Sequence, residues 1–535
     1  MLKERSESKI IPSEEVGALV EDGATITVSS SSGLGCPDLV LRRIGEYFAA
    51  TGHPRDVTSL HPIAAGDMYG IDGIDHLARR GLLKRILAGS YPSGPSSMES
   101  PEIWRMIHED EVEAYNIPSG VLFDMHRDGV AGRPGSLTSV GMDTFADPRR
   151  NGCKMNAATT EDIVTVERVQ GRDWLFFPAV HPDVAIVRGT TGDEVGNISM
   201  EHEGAYLGAV DQAMATKANG GIVIAQVKRT TKAGSIPPQQ VHIPSMLVDY
   251  VVRDPDQMQT TETTYDPAIS GEIRRPGTVA QPVPFGPEKV IARRAARELQ
   301  AGRRVNLGFG ISALVPHVLA ETDEEDTVTW AIEQGAVGGL PLTGFAFGCA
   351  ANPQAIVPSP QQFSFFQGGG LNQSLLSFMQ VDGAGNVNVS KLAAKPHVTA
   401  GCGGFVDIVH GTPNLVFCGM FRAGGLDIDI EGGQLHIKHE GRHAKFVPSV
   451  EHVTFSGAWG LARDKNVLYV TERGVFRLTT RGIELVEVAP GIDPQRDIQD
   501  QAEIEITISP ELREMDSRLF TPDPTSLVDS AHGRD

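Results

Sequence analysis

The stretch AIEQGAVGG at residues 331–339 places a single carboxylate, Glu333, between an apolar run and a series of glycines. Residues 328–332 are typical of a buried strand in a parallel sheet, and ligands of such sheets bind at the carboxyl ends of the strands. A carboxylate at that position can attack an activated acyl group, while N–H groups of nearby glycines receive the oxyanion charge. The alternative from these residues alone is a solvated glutamate in the loop between a strand and a helix.

Length and composition indicate a large globular protein. The chain has 535 residues, which predicts more than one hydrophobic core, and its hydrophobic content of 40% with a mean hydropathy of -0.15 predicts a soluble protein. No apolar run is long enough to span a membrane, and the first residues lack the pattern of a signal peptide. The five cysteines form no CxxC pair, which argues against a disulfide framework or a zinc site. We therefore expect a cytoplasmic protein.

The charge and the histidines exclude further classes of function. A formal net charge of -21 argues against binding to nucleic acids or anionic membranes. An anionic substrate would need a pocket lined by N–H groups or by local positive charge. The histidines are scattered and form no HExxH motif, so no metal site is predicted.

The chain contains two related halves. In the first, a predicted helix at 14–20 leads through Gly23 into a strand and then a Gly-Leu-Gly loop; in the second, a helix at 287–299 leads through Gly302 into a strand and then Gly-Phe-Gly. The sequences DEVGNIS at 193–199 and DGAGNVNVS at 382–390 are a second similarity. We predict two open α/β halves fused in one chain, with the active site at their interface.

The domain boundaries follow from this repeat. We predict a first half at 1–252 with an insertion at about 61–150, a second half at 287–515 and a tail at 516–535, of which residues 521–535 are expected to be frayed. The segment 253–286 is rich in Pro, Thr, Gln and Asp and is predicted to be a linker. Its alternative is an ordered arm that crosses between the halves and packs on both.

The sequence GFGISA at 308–313 offers a competing function. It matches the GxGxxA form of a dinucleotide-binding loop, follows a predicted strand, and has Glu333 downstream as a candidate ribose ligand. This pattern favours an oxidoreductase with a nicotinamide cofactor. Coenzyme A also contains a pyrophosphate, however, so the loop alone does not distinguish the two ligands.

Two further glycine clusters are candidate oxyanion or substrate contacts. They are GCGGF at 401–405 and FFQGGGL at 365–371. Each could supply backbone donors near Glu333, or could simply form a tight turn that requires positive φ. Cys402 lies inside the first cluster but has no histidine at a recognisable offset, so we predict a small buried residue rather than a nucleophile.

Taken in order, these motifs resemble the glutamate-dependent CoA-transferases. The second half is represented by VNLGFGIS at 305–312, AIEQGAVGG, FFQGGGL, VDGAGNVNVS and GCGGF. The first half, with LTSVGMDTFADPRRNGCKMN at 137–156 and DVAIVRGTTGDEVGNIS at 183–199, is similar to the fused single-chain acetate/propionate and 3-ketoacid type. The resemblance covers nearly the whole chain, and several motifs in a fixed order are more specific than any one of them.

The resemblance implies a role for each motif. Glu333 matches the glutamate that becomes an enzyme–CoA thioester in a ping-pong reaction. CoA-binding and oxyanion contacts are implied for Gly308, Phe309, Gly310, Ile311, Gly401, Gly403 and Gly404, and substrate contacts for Ser119, Gly368 and Gly369. The resemblance also implies acyl-CoA and carboxylate substrates, no separate cofactor or metal, and a homo-oligomer.

The chain departs from the family pattern on the substrate side. In YNIPSGV at 115–121, Ser119 stands where the family has a glutamine, and GSYPSGPS at 89–96 replaces a loop with histidine and tryptophan. Gln367 and Asn372 stand where acids are common. The smaller Ser119 predicts an acid larger than acetate, or one with a different functional group. A thioesterase on the same scaffold remains an alternative, because it would share all of these motifs.

Overall fold

A computed structural model of the chain describes residues 8–91, 100–276, 280–393 and 401–528. Among these residues no helix is both long enough and apolar enough to cross a membrane. They form two mixed α/β halves, each built around one ten-stranded sheet with a mostly parallel centre.

The first half alternates strands and helices. Its elements are β1 (Ile10–Ile11), β2 (Thr25–Val28), α1 (Asp38–Thr51), β3 (Val57–His61), β4 (Leu83–Ala88), α2 (Glu102–His108), β5 (Glu113–Asn116), α3 (Ser119–Val130), β6 (Gly135–Thr138), β7 (Thr165–Val169), β8 (Arg172–Pro178), β9 (Val184–Asp193), β10 (Ile198–Ser199), α4 (Ala209–Ala218), β11 (Ile222–Thr231), β12 (Val241–Ile243) and β13 (Tyr250–Arg253). The main sheet has the order β1-β13-β11-β9-β2-β3-β4-β5, with β10 and β12 beside β9. Strands β6, β8 and β7 form a separate antiparallel sheet.

The second half follows the same plan with shorter strands. Its elements are α5 (Pro287–Ala296), β14 (Arg304–Leu307), α6 (Val315–Ala320), β15 (Thr329–Ala331), β16 (Ala336–Val337), β17 (Leu340–Pro341), β18 (Ala350–Ala351), β19 (Ala355–Ile356), α7 (Ser359–Gln367), β20 (Gln373–Ser377), β21 (Gln380–Val381), β22 (Val387–Asn388), α8 (Phe405–Gly411), β23 (Asn414–Cys418), β24 (Arg422–Ala423), β25 (Asp427–Glu431), β26 (Gln434–His439), β27 (His443–Ala444), α9 (Gly457–Leu461), β28 (Asn466–Val470), β29 (Gly474–Thr479), β30 (Gly482–Val488) and β31 (Thr507–Glu514). The main sheet has the order β19-β16-β15-β14-β20-β23-β28-β29-β30-β31.

The predicted repeat is present in the strand order and in the register. Five parallel strands, β3-β2-β9-β11-β13, correspond to β15-β14-β20-β23-β28. Thr25 of β2 lies opposite Thr58 of β3, and Arg304 of β14 lies opposite Thr329 of β15. The pairing of β2 with β9 keeps the same offset as that of β14 with β20. The two halves therefore share one core architecture, position by position.

The second sequence similarity is one turn used twice. Asp193 accepts hydrogen bonds from the backbone and the side chain of Asn197, at 2.8 and 2.9 Å. Asp382 accepts the same pair from Asn386, both at 3.0 Å. Gly196 and Gly385 precede the two asparagines with φ of 94° and 76°, a conformation that favours glycine. The Gly-Asn pair is thus required by the turn.

Elements beyond the shared core account for the greater length of the first half. Between β3 and β9 lie β4 and β5, which extend the sheet, and α2, α3 and β6–β8. The insertion predicted at 61–150 covers β4 to β6, but the added elements continue through β8 to residue 178. β7 is mostly exposed and β8 is buried only at alternate positions of its second part, so both strands give a weaker sequence signal than the apolar core strands.

The described residues of the predicted linker, 253–276 and 280–286, form an ordered arm, which is the alternative left open by the sequence. Gln257 is buried and accepts a hydrogen bond from Gln226 of β11 at 3.1 Å. The carbonyl of Ala268 accepts one from the N–H of Asn352 at 2.9 Å in the second half, and Ile269 is buried in the second-half core. The polar residues that suggested a linker are thus largely hydrogen-bonded.

The prediction that residues 521–535 are frayed is wrong for residues 521–528, and residues 516–520 of the predicted tail are also ordered. Leu519, Phe520 and Leu527 are buried in the second-half core. Arg293 of α5 donates hydrogen bonds to the carbonyl groups of Thr521 and Asp523, at 2.7 and 3.0 Å. Prolines at this end suggested disorder, but isolated apolar residues between them anchor the segment. Residues 529–535 lie outside the described part of the chain.

Candidate active site

The sharp turn after β15 places Glu333 at the carboxyl edge of the second sheet. Glu333 follows the end of the strand by two residues, as predicted. The N–H of Gly335 donates to the carbonyl of Ile332, and the N–H of Ile332 donates to Ala336, both at 2.9 Å. Gly335 has φ of 120°, and a Cβ there would overlap with the carbonyl of Val357. The glycine after Glu333 is therefore required by the turn.

The Glu333 carboxylate is partly exposed and is hydrogen-bonded by its neighbour. The side-chain nitrogen of Gln334 lies 3.2 Å from Oε1 of Glu333 and 3.1 Å from Oγ of Ser31 in the first half. Burial raises the pKa of Glu333 to about 7, and the N–H of Gly404 and the Gln334 amide oppose this rise. A carboxylate with a pKa near neutrality is a stronger nucleophile than an ordinary one once it is ionised, and a substantial fraction of it is ionised at neutral pH.

The glycine cluster at 401–404 lies directly against this carboxylate. A Cβ at Gly404 would overlap with Oε2 of Glu333, and a Cβ at Gly403 would lie 3.9 Å from Oε1. Gly401 and Gly403 have φ of 73° and 51°, so the loop also needs glycine for its backbone conformation. Both geometries offered by the sequence are present, because a turn that requires glycine also brings the N–H of Gly404 to the Glu333 carboxylate.

The first half holds this loop in place. The N–H of Cys402 donates to Oδ1 of Asn116 at 2.9 Å, and the N–H of Gly403 donates to the carbonyl of Gly89 at 2.8 Å. Asn116 ends β5 and Gly89 follows β4. Because the N–H of Gly403 is engaged by Gly89, the N–H of Gly404 is the donor that acts on Glu333. The site is thus built from the carboxyl ends of strands in both halves.

Comparison with known proteins identifies the family. The model of the coenzyme A transferase family matches residues 11–254. The chain is 38% identical to the caffeate CoA-transferase of Acetobacterium woodii, over 96% of this chain and 98% of that protein. It is 37% identical to the acetate CoA-transferase YdiF of Escherichia coli K12, over 96% and 95% of the two chains. The chain belongs to the coenzyme A transferase family.

A solved structure supports the same assignment and the chemistry. The acyl-CoA transferase YdiF of Escherichia coli O157:H7, in a thioester complex with CoA, superimposes with a TM-score of 0.89 at 35% identity and covers 97% of each chain. The present enzyme is a fused, single-chain CoA-transferase. It transfers CoA from an acyl-CoA to a carboxylic acid in a ping-pong reaction, through a thioester between CoA and an enzyme glutamate.

In this CoA-transferase the loop at 308–311 lies beside Glu333. Gly308 follows β14, and β14 is the direct neighbour of β15, so both strand ends meet at one edge of the sheet. Phe309 is 61% exposed, and its ring contacts Phe347 edge-to-face at 5.4 Å. Ile311 begins a short 3-10 helix. An exposed aromatic ring at this edge offers a surface for an aromatic ligand group.

Ser119 contacts the glycine loop from the first half. It is the first residue of α3 and is fully buried, and its N–H donates to the carbonyl of Gly403 at 3.0 Å. Its hydroxyl has no hydrogen-bond partner among the described residues and faces Gly89. A buried hydroxyl without a partner is uncommon, so Ser119 stays a candidate for substrate contact. Of the divergent loop at 89–96, residues 92–96 lie outside the described part of the chain.

Gly368 and Gly369, predicted to contact substrate, lie at the end of a helix. Gly368 caps α7, and Gly369 has φ of 83° and packs beside Gly411. Gly411 is the last residue of α8, whereas Gly404 immediately precedes the first. At 1.5 Å per residue, the two ends of α8 are about 10 Å apart. Gly368 and Gly369 thus form a turn near the end of α8 that is distant from Glu333, and their contact with substrate stays a prediction.

Several residues of the site were missed by the sequence analysis. Asn116, Gln334 and Ser31 each contribute a side-chain hydrogen bond at the site, and Asp407 is a buried acid at the start of α8. Asn116 could have been found as a polar residue at the end of a strand. Asp407 could have been found as the one acid in the apolar run FVDIV. Within the described residues no group of acids, histidines and cysteines could hold a metal ion.

Proposed function

We propose that Glu333 is the glutamate that carries CoA in this enzyme. Its partly exposed carboxylate at a strand end, beside the N–H of Gly404, is the single observation that carries the assignment. The raised pKa and the bond from Gln334 fit a group that must be both reactive and fixed in orientation.

The chemistry of Glu333 would proceed by two acyl exchanges. A carboxylate oxygen attacks the thioester carbonyl of the donor, giving an acyl-glutamyl anhydride and CoA thiolate. The thiolate then attacks the glutamyl carbonyl, giving the Glu333–CoA thioester and the free donor acid. An acceptor carboxylate runs the same steps in reverse. The thioester energy is conserved only where water is excluded, and burial of the surrounding loops serves this need.

Two backbone loops would assist Glu333. The N–H of Gly404 stabilises the oxyanion on the glutamyl group, since it already acts on this carboxylate. Gly308, Phe309, Gly310 and Ile311 bind CoA, because their loop lies at the same sheet edge and exposes the ring of Phe309. Gly401 and Gly403 shape the turn that presents Gly404.

The acceptor we propose is a carboxylic acid larger than acetate, or one that bears a further polar group. Ser119 replaces the larger glutamine of the family and leaves its hydroxyl without a partner. A substrate hydroxyl or carbonyl group could satisfy it. The relative from Acetobacterium is named for caffeate, an acid of this kind, whereas YdiF is named for acetate at similar identity.

We also propose that the enzyme works in the cytoplasm as a homo-oligomer, with CoA thioesters as substrates and no separate cofactor. All five cysteines lie in the described residues, buried and unpaired, which suits a reducing compartment. Light scattering of the purified protein would measure its mass in solution. A monomer at micromolar concentration would contradict the oligomer.

Oxygen-18 labelling tests the proposed role of Glu333 and separates transfer from hydrolysis. An acceptor acid labelled in its carboxylate should leave one labelled oxygen in the peptide that contains Glu333, because the anhydride splits on the acceptor side. Reaction in labelled water should leave that peptide unlabelled. Label from water in Glu333, with release of free CoA, would instead indicate a thioesterase. Label in another glutamate would contradict the assignment.

A further inference from the structure

Asp407 is a buried acid that the proposed chemistry does not use. It is fully buried in the first turn of α8, three residues after Gly404. Its Oδ2 accepts the N–H of Gly120 at 3.0 Å, and its Oδ1 accepts the side-chain nitrogen of Gln367 at 2.9 Å. Burial and the nearby Asp124 and Glu333 raise its pKa to about 7. An acid kept at such a cost in desolvation calls for a structural or functional reason.

Both hydrogen bonds of Asp407 join elements from different parts of the chain. Gly120 is the second residue of α3 in the first half, and Gln367 ends α7 in the second. The N-terminus of α3 favours a carboxylate, because its free N–H groups and helix dipole are positive there. A Cβ at Gly120 would lie 2.6 Å from both Oδ1 of Asp407 and Nε2 of Gln367, so glycine is required at this contact.

The same turn of α3 also binds the loop that precedes α8. The N–H of Ser119 donates to the carbonyl of Gly403 at 3.0 Å, next to the bond from Gly120 to Asp407. Two successive N–H groups of α3 therefore hold two points on either side of Gly404. A shift of α8 relative to α3 would move the N–H of Gly404 away from Glu333.

We propose that Asp407 is a positioning residue, which fixes the N–H of Gly404 against Glu333 by joining α8 to the N-terminus of α3 and to Gln367. This inference rests on the proposed function of Glu333 and extends it to a group that does not contact substrate. Displacement of a donor by about 1 Å can lower a rate by about 100-fold. The effect of Asp407 is expected on the chemical step rather than on CoA binding.

The variant Asp407→Asn tests this role. Gly120 and Gln367 both present donors, and an amide offers only one acceptor, so one bond is lost. We expect kcat and the rate of thioester formation to fall about 10- to 100-fold. KM for the donor should change less than about threefold, because the loop at 308–311 is untouched.

A matched control separates positioning from simple loss of stability. Asp382 is also buried in the second half and accepts four hydrogen bonds, from Ala384, Asn386 and Val450, but it lies in a turn outside the site. Asp382→Asn should lower the unfolding temperature and leave kcat unchanged. If Asp407→Asn does not fold, Gln367→Ala serves instead, because it removes one donor from outside α8. It should lower kcat several-fold at unchanged KM.

The decisive readout is the rate of adduct formation, followed by intact mass after rapid mixing with an acyl-CoA. Wild-type enzyme should form the CoA adduct quickly, and Asp407→Asn slowly but to completion. Adduct formation by Asp407→Asn or Gln367→Ala at the wild-type rate would overturn the role of Asp407 while leaving Glu333 unaffected. Absence of any adduct in the wild type would instead contradict the proposed function itself.

Discussion

The two halves share a strand order and a register, yet they end corresponding strands with different residues. Glu333 comes four residues after Thr329, and its counterpart in the first half, four residues after Thr58, is Pro62. Pro62 is buried and has neither a nucleophile nor a backbone N–H. The same scaffold position thus carries a carboxylate in one half and a proline in the other.

The first half supplies residues that hold the site in place, and the second half supplies the proposed nucleophile. Ser31, Gly89, Asn116 and Ser119 all follow strands of the first sheet, and each makes a hydrogen bond to Gln334 or to the loop at 401–404. A scaffold therefore does not determine the chemistry, which depends on the few side chains at the strand ends. Residues of the first half thus hold Gln334 and the loop that lie beside Glu333 in the second.

The largest expected loss of activity is at Glu333, the position at which the two halves differ. Glu333→Gln removes the nucleophile and keeps the shape, so we expect transfer to fall by about 10⁴-fold or more. Glu505→Gln, an exposed acid of the same half, is the control and should retain full activity. Steady-state rates with one donor and a panel of acids provide the measurement. Transfer by Glu333→Gln at a rate near that of the wild type would contradict the proposal that Glu333 is the nucleophile and that only the second half supplies it.

The glycine loop should respond unequally at its two positions. A Cβ at Gly404 would overlap with Glu333 and the ring of Phe363, whereas one at Gly403 meets nothing closer than 3.9 Å. We expect Gly404→Ala to lower kcat by about 10²- to 10³-fold, the cost of one oxyanion donor. Gly403→Ala should cost less than about tenfold and act mainly through its positive φ. Equal losses in both variants would show that the loop serves only as a turn.

Ser119→Gln should have a smaller effect, confined to the choice of acid. The glutamine amide fills space beside Gly89 and can donate to a carboxylate, so preference should move by about tenfold toward acetate or propionate. Ratios of kcat/KM from competition between a short and a longer acid measure this shift. KM for a common acyl-CoA donor serves as the control and should not change. An unaltered ratio would place the specificity in the loop at 89–96.

Sequence reasoning succeeded where local chemistry decides the structure. The strand before Glu333, the glycines that approach it and the Asp-Gly-Asn turn all depend on neighbours in the chain. It failed where distant contacts decide, as for the tail, whose Leu527 is held by the second-half core. The sequence also leaves the role of Gly368 and Gly369 open, because a glycine cluster looks the same whether it caps a helix or binds a ligand. The hydrogen bonds of Asn116 and Asp407 join residues nearly three hundred positions apart.

The raised pKa of Glu333 predicts a pH-dependent difference in stability. In the folded state the Glu333 carboxyl loses its proton at a pH of about 7, whereas in the unfolded chain it does so near 4.5. The free energy of unfolding therefore falls as the pH rises from about 4.5 to about 7. Glu333→Gln cannot ionise and escapes this loss. Its unfolding temperature should match the wild type near pH 4.5 and exceed it by a few degrees at pH 8. A constant difference across this range would contradict the raised pKa.

The smallest effects are expected where the halves are alike. Asp193→Ala and Asp382→Ala each remove the carboxylate from the same turn, so each should lower the free energy of unfolding by about 1–3 kcal/mol. Neither should change kcat, since neither aspartate lies at the site. Chemical denaturation and steady-state kinetics on both variants measure the two properties. Loss of turnover in only one of them would give that turn a role that its counterpart lacks.

The most direct test of the central claim is to locate the CoA adduct. Enzyme mixed with an acyl-CoA in the absence of acceptor should gain the mass of CoA less one water, and digestion should place the adduct on the peptide containing residues 331–339. The adduct should disappear in Glu333→Gln and upon addition of an acceptor acid. An adduct that persists in Glu333→Gln, or that maps to the first half, would contradict the division of roles between the halves.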